Sequence, residues 1–79
     1  MSYIVIIEQV GPNGAPTGQP VVRNLPSKRE AFALMRGAAL DAQKARQRML
    51  FSLYDQGTER LMSYGSSDRA VLSFGTPDP

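Results

Sequence analysis

One amphipathic period runs through residues 27–48, and no other stretch of this chain is long and regular enough to form a full helix. Ser27 followed three residues later by Glu30 is a capping-box pattern, in which each side chain satisfies an orphan amide of the first turn. At about 100° per residue, Ala31, Met35, Ala38, Ala42, Ala45 and Met49 fall on one face, flanked by Phe32, Leu34 and Ala39. Arg29, Arg36, Lys44 and Arg48 fall on the opposite side, with Gly37 and Leu40 among them. The spacing therefore predicts one helix with an alanine-rich inner face and a basic outer face. Small inner side chains let such a helix lie close on a sheet, while Phe32, Leu34 and Met35 supply bulk at its N-terminal half.

Strands are expected on both sides of it. Residues 3–10 are rich in β-branched side chains and apolar on both faces, with Tyr3, Val5 and Ile7 on one and Ile4, Ile6 and Val10 on the other. That is the pattern of an inner strand. Residues 11–20 hold three glycines and three prolines, which excludes helix and central strand. They are expected to form a slack hairpin loop, or else a loop that orders on a partner. Residues 21–25 read as a short returning strand, which Pro26 ends before the helix cap. After the helix, residues 49–54 and 59–64 flank Asp55-Gln56-Gly57-Thr58, a hairpin in which Gly57 is expected to supply a positive φ. Its register stays open. A two-residue loop places Arg60, Met62 and Tyr64 beside Met49, Phe51 and Leu53, whereas a three-residue loop with a bulge places Leu61 beside Phe51. Residues 65–68 read as a turn, 70–74 as a last short strand and 75–79 as a frayed tail.

The expected order is β-β-α-β-β-β over one small α+β domain, residues 1–79. A single helix packs on one face of a four- to five-stranded antiparallel sheet. The other sheet face is expected to be partly open and to carry tyrosines, from among Tyr3, Tyr54 and Tyr64. A chain of 79 residues buries only about 60% of the surface its unfolded form exposes, so its margin of stability is thin. Without cysteine, no disulfide or thiolate site supplements that core.

Catalysis is not expected. General acid–base chemistry near neutral pH usually recruits histidine, and the chain has none. A cysteine nucleophile is excluded, and no serine has an adjacent base to activate it. Metal binding would rest on carboxylates alone; Asp55 and Glu59 bracket a hairpin pattern and not a calcium loop. The glycine-rich loop lacks the Gly-Lys-Ser/Thr ending of a phosphate loop. No cofactor is expected. The N-terminus has neither the basic start nor the cleavage pattern of a signal peptide, and no run approaches the roughly 20 apolar residues of a membrane span. A soluble cytoplasmic protein is the expectation.

Charge placement is the clearest functional signal. Residues 27–48 carry six basic side chains against Glu30 and Asp41, whereas the rest of the chain has three basic against five acidic. Leu40 sits inside the basic side, where the fold requires no apolar residue. Arg29, Arg36, Leu40, Lys44 and Arg48 are therefore the candidate partner-binding residues: an apolar centre in basic surroundings, as in a small protein interface. The alternative is a nucleic-acid-binding module whose basic helix face tracks phosphates, although no RNP-type aromatic strand accompanies it. The edges of a short sheet offer a further route, to a homodimer.

The opening strand Ser-Tyr-Ile-Val-Ile-Ile-Glu-Gln-Val, the proline/glycine-rich excursion, the capped helix and the closing hairpin resemble small phage-encoded anti-CRISPR proteins in architecture. That group shares no signature motif, so the resemblance assigns no residue a role. It implies a non-catalytic inhibitor of a CRISPR effector, with a protein partner of acidic surface or a nucleoprotein complex.

Overall fold

Tyr3, Val5 and Ile7 give the first strand a side that must leave water, and the fold is built on that side. The computed structural model describes residues 2–67. The elements run β1 (Tyr3–Val10), β2 (Val21–Leu25), α1 (Lys28–Lys44), β3 (Arg48–Asp55) and β4 (Arg60–Ser66). The four strands form one antiparallel sheet in the order β2-β1-β3-β4. β1 is thus an inner strand, as its two apolar faces require. The strand expected at 70–74 and the tail at 75–79 lie outside the described residues.

Helix α1 covers one face of the sheet. Val5, Phe51 and Leu53 from β1 and β3 are fully buried against Ala31, Met35 and Ala39 of the helix, and Tyr3, Ile7, Leu25, Met49 and Met62 pack around them. Each large side chain taken fully from water contributes about 1.5–3 kcal/mol. Tyr3 therefore belongs to the core side. Val5 pairs with Leu53 and Ile4 with Tyr54, so strand alternation puts Ile4, Ile6 and Tyr54 on the face away from the helix. Val22 and Tyr64 join that face through Ile6 and Ser52, and both stand about half exposed. Of the three tyrosines, the open face holds Tyr54 and Tyr64.

The helix begins where its cap is written. Ser27 is extended (φ −141°, ψ 154°), and its Oγ accepts the Glu30 amide at 3.2 Å. The Ser27 hydroxyl also donates to Glu30 Oε2 at 3.3 Å, so the carboxylate closes on the cap's hydroxyl and not on its backbone amide. The helix ends earlier than its periodicity suggests. Ala45 is the C-cap and Arg46 turns into the left-handed region at φ 55°. The Arg46 amide then donates to the Gln43 carbonyl at 3.1 Å and the Gln47 amide to the Ala42 carbonyl at 2.8 Å. This is a Schellman ending, which normally uses glycine at the position Arg46 fills. Arg48 and Met49 consequently leave the helix and open β3, and Met49 reaches the core from the sheet.

The β3–β4 hairpin corrects both registers open to the sequence. Asp55 pairs with Arg60 across a four-residue loop. Asp55 Oδ1 accepts the Gly57 amide at 2.8 Å, and the Glu59 amide donates to the Asp55 carbonyl at 2.7 Å. The residue with positive φ is Glu59, at 56°, and not Gly57. A bulge between Leu53 and Tyr54 then changes parity: Tyr54 faces Leu61, but Leu53 faces Ser63. Met62 and Ser63 both turn inward as a result, Met62 against the core and Ser63 buried. The strand runs on through Gly65 and Ser66, where a turn was expected.

The Gly/Pro-rich loop is folded on itself and on β1. The Gly11 amide donates to the Ala15 carbonyl and the Thr17 amide to the Gln9 carbonyl, each at 2.9 Å, and Pro16 bridges back to Val10. Positive φ values at Gly14 (82°) and Gly18 (106°) make the two reversals.

Candidate functional site

Four of the five candidate residues share one surface. Positions 29, 36, 40 and 44 are separated by seven, four and four residues, so they line one side of α1, turned from the buried stripe of Ala31, Met35, Ala39 and Ala42. Arg48 is the exception, because the helix ends before it; it stands at the start of β3, opposite Val10.

The outer helix surface is hollowed between Arg29 and Leu40. Arg29, Phe32, Ala33, Arg36, Gly37 and Leu40 bound an open groove of about 460 Å³. Their spacing is that of adjacent turns, so the groove is a property of the helix itself. Its floor is apolar: Phe32, half-buried because it also packs on the core, then Ala33 and the bare backbone of Gly37. Leu40 closes one end and is 44% exposed. Arg29 and Arg36 add charge, and Lys44 continues it one turn beyond Leu40. Among the described residues none of these three cations has an ion-pair partner.

Gly37 is the least expected part of the floor. Among the described residues, a Cβ built there would meet no atom within 4 Å outside the helix's own adjacent backbone, so none of them calls for glycine by its packing. In a helix interior, glycine is about 1 kcal/mol worse than alanine. Phe32 and Ala33 escaped the sequence-based site because only charge and Leu40 marked it. Their signal was the three- and four-residue spacing from Arg29 and Arg36.

Arg48 belongs to a second concavity, a cleft of about 420 Å³ where the end of α1 meets the end of β1. Gln9, Val10, Pro12 and Thr17 form one wall and Arg46, Gln47 and Arg48 the other. Among the described residues no group of His, Cys, Asp and Glu could hold a metal ion, and no helix is long and apolar enough to cross a membrane. No family model, curated protein or solved structure matches this chain.

Proposed function

We propose that the protein is a non-enzymatic protein-binding module that docks an acidic surface of its partner on the outer face of α1. The observation that carries this reading is the groove: an apolar floor at Phe32, Ala33 and Gly37, an exposed Leu40, and beside it the cations Arg29 and Arg36, which have no ion-pair partner among the described residues. An apolar centre is desolvated on docking and supplies affinity, while cations at its margin select an acidic partner and speed encounter. A phosphate-tracking helix would need the charges but not the floor, which favours protein over nucleic acid. The resemblance to anti-CRISPR proteins would make the partner a CRISPR effector and the module its inhibitor.

The test is affinity capture from a lysate with the wild-type chain and with Leu40→Glu and Arg36→Glu in parallel, each checked for an unchanged fold. A protein held by the wild type and released by both variants, then shown to bind the purified wild type directly, supports the reading. Captured proteins indifferent to both changes remove the helix face from consideration.

A further inference from the structure

The cleft at the C-terminal end of α1 contains a side chain that the backbone does not ask for. Arg46 stands at the left-handed position of the Schellman ending, φ 55°, where a residue with a Cβ is strained and glycine is not. The bonds that fix this ending, Arg46 N–H to Gln43 and Gln47 N–H to Ala42, come from the backbone and are available to glycine equally. A cation near a helix C-terminus has some value, but Lys44 already provides one in the last turn. The carbonyls of Asp41, Ala42 and Gln43 are also taken, by the amides of Ala45, Gln47 and Arg46. The Arg46 guanidinium has no ion-pair partner among the described residues, and the cleft it lines contains no carboxylate side chain.

We infer that this cleft is an oxyanion site that takes a phosphate group, with Arg46 as its principal ligand. Arg48 adds positive charge on the same wall, and the side-chain amides of Gln47 and Gln9 are further donors around the opening, beside the Thr17 hydroxyl, which donates to the Gln9 carbonyl at 3.4 Å. One arginine fork is enough for a planar carboxylate. Donors on two walls suit a tetrahedral group that presents three oxygens. The site shares no residue with the helix groove and does not depend on the docking reading.

The full chain, labelled with nitrogen-15, is titrated at constant ionic strength with inorganic phosphate, with acetate, and with a short single-stranded oligonucleotide. Saturable amide shifts at Thr17, Arg46 and Gln47 are expected with phosphate and not with acetate. An oligonucleotide that saturates at lower concentration than phosphate identifies a nucleic-acid backbone as the source of the group; phosphate binding at least as well identifies a small phosphate. Arg46→Gly should raise the thermal midpoint, because the left-handed strain is relieved. It should also weaken phosphate binding by roughly tenfold or more, the equivalent of one charge-assisted hydrogen bond. Gln9→Leu, which removes the side-chain donor of the opposite wall, should weaken it without that gain in stability. The assignment is overturned if phosphate gives no saturable shift, if acetate binds as well, or if Arg46→Gly binds like the wild type.

Discussion

The Ser67 hydroxyl accepts the Met49 amide at 2.8 Å, and the Ser67 amide donates in turn to the Met49 carbonyl at 3.0 Å. A third bond runs from Ser67 Oγ to the Gln47 carbonyl at 3.2 Å. One buried serine thus fastens the end of β4 to the start of β3, just where the chain leaves the Schellman turn. Ser67→Ala strands the Met49 amide in a part-buried place, which should cost about 1–3 kcal/mol. The urea midpoint should fall with the slope unchanged; an unmoved midpoint would mean that water replaces the hydroxyl.

Ser27→Ala removes the acceptor of the Glu30 amide. The expected loss is about 1 kcal/mol, and Ser27→Gly should cost only a few tenths of that unit. Denaturation of both variants measures the difference directly. Equal losses would show that the hydroxyl does not cap the helix.

The hairpin gives a prediction that separates two glycine arguments. Glu59 holds a positive φ and Gly57 does not, so Glu59→Gly should stabilise the domain by about 1 kcal/mol. Gly57→Ala should be tolerated, since its Cβ would stand 3.4 Å from Asp55 Oδ1, a contact that a small shift relieves. Stabilisation by Gly57→Ala with loss from Glu59→Gly would contradict the turn geometry.

These two ends of β3 show where the sequence was legible. The start of α1 was readable because Pro26, Ser27 and Glu30 are local signals, and so was its inner face, because burial follows the helical period. Its end was not. Arg46-Gln47-Arg48 are acceptable helix formers, and the glycine that usually marks a Schellman ending is absent. In the hairpin, the one glycine drew the positive φ to Gly57, whereas the Asp55 carboxylate caps the Gly57 amide and passes the left-handed position on to Glu59. Neither open register was right alone, since the bulge at Leu53/Tyr54 uses one parity before it and the other after. The basic helix face was legible from charge, apart from Arg48. The cleft of Arg46 and Thr17 was not, because only the tertiary fold brings the Gly/Pro-rich loop to the helix end.

Gly37→Ala tests whether the groove floor is structural. With open space around the position, alanine should raise stability by about 1 kcal/mol through helix propensity alone. If a partner's side chain rests on Gly37, the same methyl should weaken docking. A destabilised variant would show that the glycine serves the fold after all.

The most direct measurement is a paired one on the Arg36→Glu, Lys44→Glu double variant, recording its thermal midpoint and its affinity for the captured partner. Both side chains are exposed and lack ion-pair partners among the described residues, so their reversal should change stability by no more than about 1 kcal/mol. Docking an acidic surface against two new carboxylates should weaken binding by roughly tenfold or more, with a steep dependence on salt. A double variant that keeps its midpoint and loses the partner is the predicted result; one that keeps both would contradict the assignment of the helix face as the docking surface.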